Sequence, residues 1–180
     1  GELDYLIIDF PPGTSDEPLT VAQNLPDIDG MVIVTTPQDV ALLDSRKSIT
    51  FANSLKVDVI GVIENMSGYT VRGKAPSGTE IELAAPGGKT IRVTADDEGH
   101  WSGTLDIFKS GGGEKTAEEF GVPFLGKLPF DPGFVRGGDD GVHRIVSEPE
   151  GASSQAFANV VAEIQTRVES GSTDGGLEII

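Results

Sequence analysis

The sequence predicts an α/β protein: a doubly wound, mainly parallel sheet that carries a small antiparallel β-rich insertion. Three observations predict it. Apolar runs without polar alternation recur along the chain, as strands covered on both faces require. Helical stretches of crossover length lie between them, and one central segment switches instead to strict polar/apolar alternation.

Taken in order, Tyr5-Leu6-Ile7-Ile8 and Met31-Val32-Ile33-Val34 read as the first buried strands. From Asp39 to Leu55 no Pro or Gly interrupts, and Val40, Leu43, Ile49, Ala52 and Leu55 make an apolar stripe with Asp44, Arg46 and Lys47 facing outward, so this stretch reads as a helix. Val57 to Ile63 and Phe124 to Leu128 are further strands. Between them, Glu80-Ile81-Glu82-Leu83 and Thr90-Ile91-Arg92-Val93-Thr94 alternate, with turn signals at Pro86-Gly87-Gly88 and Glu98-Gly99, and Trp101 to Ile107 closes the set. The composition of this insertion resembles one sheet of a bacterial immunoglobulin-like module. The last helix carries Phe157, Val160, Val161, Ile164 and Val168 on one stripe, with Ser153 or Ser154 as N-cap. The expected organisation is therefore an α/β domain from 1–69 and 109–170, a β-rich insertion at 70–108 and a mobile tail at 171–180.

Composition excludes several functions. With 29 acidic against 13 basic residues the formal net charge is −16, a field that repels nucleic acid, anionic lipid and free nucleotide alike. A salt-loving source and an ordinary acidic surface both account for it. No run approaches the roughly 18 apolar residues of a membrane span, and the N-terminus lacks a basic-then-apolar leader pattern, so the expectation is a cytoplasmic protein without membrane contact. There is no cysteine, which removes disulfides and every thiolate ligand for zinc or an iron–sulfur cluster. His100 and His143 are isolated and read as surface or capping residues. Asp96-Asp97-Glu98 and Asp139-Asp140 lack the spaced oxygens of a calcium loop and read as solvated turns.

The strongest chemical signal is Asp9, delivered by an apolar strand to the sheet's C-terminal edge, where open α/β sheets bind ligands, and followed by the stiff Phe10-Pro11-Pro12-Gly13-Thr14 turn. A carboxylate there can hold Mg²⁺ through water, and the Gly13 N–H can meet a terminal phosphate, while Pro11 and Pro12 preset two φ angles. Asp9 is thus the metal candidate. Ser110-Gly111-Gly112-Gly113-Glu114-Lys115-Thr116 imitates a Walker A loop, but Glu114 precedes the lysine where glycine is needed and Phe108 fills the earlier glycine position. It reads as a flexible entry to the helix from Glu114 to Phe120.

Four blocks give the pattern a family. DYLIIDFPPGTSDEPLTVAQNLP, MVIVTTPQDVALLDSRKSI, GVIENMSG and SGGGEKTAEEFGVPFLGKLPFDP, in this order, resemble successive blocks of the Mrp (ApbC-like) P-loop ATPases that carry iron–sulfur clusters, and span most of residues 4 to 140. The Asn-Met-Ser and Ser-triple-Gly segments favour Mrp over its relatives ParA and MinD. The resemblance implies that Asp9 is the Mg²⁺-linked aspartate and that Pro11, Pro12 and Gly13 form the phosphate-sensing switch. It further implies that Asn65 recognises adenine through its amide, with the loop holding Pro129 and Asp131 as the other wall of the base pocket. ATP and Mg²⁺ are the implied cofactors, iron–sulfur apo-proteins or scaffold proteins the implied partners, and a homodimer the implied assembly.

Two departures qualify this. The family's phosphate-binding loop and first strand lie upstream of the strand ending at Asp9, before which only Gly1 to Asp4 stand here, so the ATP site is expected to be half built and turnover by this chain alone negligible. A sheet short of its first strands would also expose an unpaired edge. The family's Cys-x-x-Cys pair after Asn-Met-Ser is replaced by the β-rich insertion, which makes cluster binding by this chain doubtful. The leading expectation is an ATP-dependent iron–sulfur carrier or assembly protein, partial or variant in form. The alternatives are a non-catalytic interaction module whose insertion binds a protein, and a ParA- or MinD-like positioning ATPase.

Overall fold

A computed structural model describes residues 2–11, 16–25 and 28–170 of the chain. The elements run α1 (Asp16–Asn24), β1 (Met31–Thr35), α2 (Asp39–Ser54), β2 (Val59–Glu64), β3 (Tyr69–Lys74), β4 (Glu80–Ala85), a 3-10 turn (Pro86–Gly88), β5 (Lys89–Thr94) and β6 (His100–Leu105). They continue with α3 (Gly112–Phe120), β7 (Phe124–Lys127), α4 (Pro132–Asp140), α5 (Arg144–Ser147) and α6 (Ala152–Glu169).

Three of the apolar runs pair as a parallel sheet in the order β1-β2-β7. Because side chains alternate across a strand, β2 feeds two cores. Val62 faces α2 and α3 and packs with Ile33, Ile49 and Ala117, whereas Ile63 faces α6 and packs with Leu125 and Val160. Helices on both faces make the sheet doubly wound, as the unbroken apolar runs require.

The run from Tyr5 to Ile8 departs from expectation. It forms no strand, and its side chains are exposed, Ile7 at 90% and Leu6 at 67%. A strand exists only through its ladder, and residues 5–8 find no strand neighbour among the described residues: β1 pairs with β2 alone. The Tyr5 hydroxyl ties this run to the end of α6, donating to Glu169 Oε1 at 2.9 Å.

Two helices are corrected in detail. In α2 the buried stripe is Leu42, Ser45, Ile49 and Ala52, while Val40 and Leu43 face outward. The stripe steps by three and four residues through Ser45, whose hydroxyl turns back to the Ala41 carbonyl at 2.9 Å and so costs little when buried. The N-cap of α6 is Gly151 and neither serine caps it; Ser154 is buried one turn further in.

The alternating segment forms two antiparallel pairs, β3 with β6 and β4 with β5. A Cβ on Gly103 would lie 2.5 Å from Leu83 Cδ1 and 3.2 Å from Val93 Cγ1, so the two ribbons pack face to face and need the missing side chain there. Their outer faces are polar, as in the Thr70–Thr104 and Arg92–Glu82 cross-strand pairs. No helix among the described residues is long and apolar enough to cross a membrane.

Candidate functional site

The C-terminal ends of β2 and β7 bring two of the sequence-predicted loops together. The Asn65 N–H donates to the Thr35 carbonyl at 2.7 Å, holding the end of β2 against β1. The Leu128 N–H donates to the Glu64 carbonyl at 2.8 Å and the Ser67 N–H to the Leu128 carbonyl at 2.9 Å. The Phe130 N–H then donates to the Gly68 carbonyl at 2.8 Å. Asn65 and the loop from Pro129 to Pro132 are therefore neighbours by backbone bonding at the edge where open α/β sheets place ligands.

Asn65 is half-buried, and its Oδ1 accepts from the Met66 N–H at 2.9 Å, which stabilises Met66 in a left-handed conformation (φ 56°). Its amide Nδ2 has no hydrogen-bond partner among the described residues. That leaves two donors and the second lone pair of Oδ1 for a base edge.

Asp131 has a structural task as well. Its Oδ1 accepts from the Gly133 N–H at 2.7 Å as N-cap of α4, and its Oδ2 meets Arg144 Nε at 3.4 Å. Burial pushes this carboxyl up, but the Gly133 N–H, the Ser153 hydroxyl and the Arg144 guanidinium outweigh burial and hold it below the usual carboxylate range. Arg144 is in turn paired with Glu148. Pro129 is half-buried, and Phe130 stacks edge-on against Tyr69 and Phe108, tying this loop to both roots of the β3–β6 ribbon.

Asp9 and Pro11 are exposed and lie outside any strand or helix. No hydrogen bond or ion pair joins Asp9 to the Asn65 or Pro129 loops among the described residues. Pro12 and Gly13 lie outside the described residues, as does the 171–180 tail. Among the described residues no group of three or more His, Asp or Glu is placed to hold a metal ion.

Sequence reasoning missed Glu64. This carboxylate is fully buried and accepts from Ser67 Oγ at 2.5 Å, the Gly111 N–H at 3.0 Å and the Gly113 N–H at 2.7 Å. Hydrogen bonds to a charged group are worth about 1.5–3 kcal/mol each, and the N-terminus of α3 adds its dipole. Two N–H groups of the Ser110–Gly113 turn, those of Gly111 and Gly113, are thus taken by Glu64. The available signal was an acidic residue ending an otherwise apolar strand, with a glycine run later in the chain.

The architecture and the edge where these loops meet define an α/β nucleotide-binding fold of the P-loop kind. The family description "ParA: NUBPL iron-transfer P-loop NTPase" matches residues 1–88 and 94–165, and the chain belongs to that family. It is 41% identical over 169 residues to the iron–sulfur cluster carrier protein of Methanocaldococcus jannaschii, covering 94% of this chain and 48% of that protein. It is also 41% identical over 143 residues to the cytosolic Fe-S cluster assembly factor NUBP2 homolog of Nematostella vectensis, covering 78% of this chain and 43% of the relative. The chain spans about half the length of the curated relatives it matches. Among solved structures, the nucleotide-binding protein of Archaeoglobus fulgidus in complex with ADP is similar with a TM-score of 0.50 and 32% identity, covering 78% of this chain and 46% of that one. The septum site-determining protein MinD of Pyrococcus horikoshii, complexed with Mg-ADP, has a TM-score of 0.51 at 17% identity, covering 81% and 44%, and shares the fold alone.

Proposed function

We propose that this chain supplies the base-binding side of a magnesium-nucleotide site in an iron–sulfur cluster carrier. Asn65 reads adenine, and the loop bearing Pro129 and Asp131 forms the facing wall. Asp9 holds Mg²⁺ through water when nucleotide is bound, with Pro11, Pro12 and Gly13 as the phosphate-sensing turn. The observation that carries the reading is the bonding of the Asn65 and Pro129 loops to each other, with donors of Asn65 left over. The named relatives, one of them solved with ADP, support the nucleotide class and the carrier role. A cytoplasmic setting, a homodimer and apo-protein clients belong to the same reading, by analogy with the cytosolic relative.

The donor set fits one part of the ligand better than the others. The free amide donors of Asn65 suit a base edge, whereas the glycine turn before α3 already holds Glu64 and has no N–H to offer at Gly111 or Gly113. With a net charge of −16 opposing the triphosphate, binding by this chain alone is weak and hydrolysis negligible. The cargo fits less well still: with no cysteine this chain offers no thiolate to a cluster. Cluster ligands therefore come from elsewhere in any complex that carries one.

Calorimetric titration with Mg-ADP tests the base assignment. Asn65→Ala should weaken affinity by about tenfold, the worth of one or two hydrogen bonds, and should lower stability by about 1 kcal/mol through the lost bond to Met66. Equal affinity in both proteins would remove Asn65 from the site.

A second reading has its own support. The paired ribbons β3–β6 and β4–β5 occupy the place where the family resemblance puts a cysteine pair, and a compact β module there suits a protein partner better than a metal. In that reading residues 70–108 are an interaction module mounted on an α/β body of 1–69 and 109–170.

A further inference from the structure

We propose that Glu64 is a positioning residue: its buried carboxylate clamps the Asn65–Ser67 turn to the start of α3, so that Asn65 and the glycine turn keep one relative placement.

The geometry is closed on every side. One oxygen, Oε1, accepts from Ser67 Oγ at 2.5 Å and from the Gly111 N–H at 3.0 Å; the other, Oε2, accepts from the Gly113 N–H at 2.7 Å. Ser67 lies three residues beyond Glu64, whereas Gly111 and Gly113 arrive from the far side of the β3–β6 segment. A single carboxylate therefore joins the two chain ends between which all four ribbon strands are strung.

Local backbone choices serve this contact. Gly111 adopts a left-handed conformation (φ 81°), and in this turn its own N–H and that of Gly113 converge on the one carboxylate. At Gly113 a Cβ would stand 2.9 Å from Glu64 Cβ and 3.3 Å from Glu64 Oε2 and Thr35 Cγ2, so only glycine lets α3 approach the carboxylate. Glu64 itself is fully buried, on the same face of β2 as Val62, where a charge survives only if hydrogen bonds replace its water. The Gly111 and Gly113 bonds link Glu64 to a distant segment and the Ser67 bond is local, so the carboxylate ties the Asn65–Ser67 turn to the start of α3 only when both kinds are made.

The functional consequence rests on the base-pocket reading. An Asn held in one orientation binds a base edge without first being ordered, so loosening the clamp lowers affinity without touching the ligand. Asn65 follows Glu64 directly; the Asn65 N–H bond to Thr35 and the Ser67 N–H bond to Leu128 hold the turn to the sheet, and the carboxylate adds its tie to the start of α3.

The test uses the whole chain with Glu64→Gln, which keeps the shape but turns an NH₂ against an N–H or hydroxyl donor, and with Glu64→Asp, which is too short to span the gap. Amide exchange is read by NMR. The expected result in both variants is exchange about tenfold faster at Gly111 and Gly113, whose N–H groups donate to the carboxylate, and at Ser67, whose N–H donates to Leu128 and reports loosening of the turn, with Ile33, Val62 and Val160 unchanged. Unchanged exchange at those three sites, faster exchange at the glycines without Ser67, or a uniform rise through the sheet overturns the clamp. Should neither variant fold, the wild-type protein decides: a scalar coupling through the hydrogen bond from the Gly113 amide nitrogen to the Glu64 carboxyl carbon is expected, and its absence overturns the proposal. Adenosine binding, measured in parallel, should fall both in Glu64→Gln and in Asn65→Ala. A wild-type chain that binds no adenosine defeats the base-pocket reading alone, since exchange and coupling report the clamp without ligand.

Discussion

Asp131 shows how one side chain serves a helix and a candidate pocket together. Its carboxyl is held low by the Gly133 N–H, Ser153 and Arg144 against the opposing push of burial, so the folded state binds its proton later than the unfolded chain does. The stability this contributes is present above the ordinary aspartate range, near pH 4, and is lost as pH falls through the lower folded-state value. Replacing Asp131 by Ala should therefore cost about 1 kcal/mol at neutral pH, the usual worth of an N-cap, and almost nothing in strong acid. Chemical denaturation at both pH values checks this; an equal cost at each would deny the carboxylate its role. The family resemblance names Asn65, Pro129 and Asp131, and the loops that hold them are bonded to each other. Glu64 is not legible locally because its two backbone donors, Gly111 and Gly113, lie 47 and 49 residues away, and no local pattern links an acidic strand end to a distant glycine turn.

Elements were legible where periodicity is long and unbroken. The alternation of β4 and β5 appears in the structure with each face carried in its spacing, and the α6 stripe holds Val160 buried but leaves Val161 exposed. The α2 stripe was read one step off because Ser45 is buried on the core side and two apolar residues, Val40 and Leu43, are not. The run at Tyr5–Ile8 has strand composition without a strand, since pairing is a property of neighbours and composition cannot supply one. Gly103 carries the clearest test at this scale. Val at that position would meet Leu83 and Val93 well inside contact distance and push the ribbons apart. Overpacking of this kind costs roughly 1–3 kcal/mol. Trp101, the only tryptophan of the chain, sits on β6 and should report the change as a red-shifted emission that precedes loss of helical signal on heating. Coincident transitions in variant and wild type would mean that the ribbons and the parallel sheet unfold as one unit.

The whole molecule is dominated by its charge. At −16 over 180 residues, self-repulsion opposes the compact state, and exposed pairs such as Lys47–Asp44 offset little of it. Raising salt shortens the screening length from about 10 Å at 0.1 M to about 3 Å at 1 M. The melting temperature should rise by several degrees across that range, and a fall would show that ion pairs outweigh repulsion. The same charge sets the terms for ligand binding, because a nucleotide brings more negative charge while a nucleoside does not. The central claim, that the loops of Asn65 and Pro129 form one wall-and-reader site for adenine, is therefore tested most directly by an NMR titration with adenosine against guanosine. The account predicts shifts for adenosine confined to Asn65–Gly68 and residues 128–132, with weak or scattered changes for guanosine. Equal responses to the two nucleosides, or changes elsewhere in the chain, would contradict it.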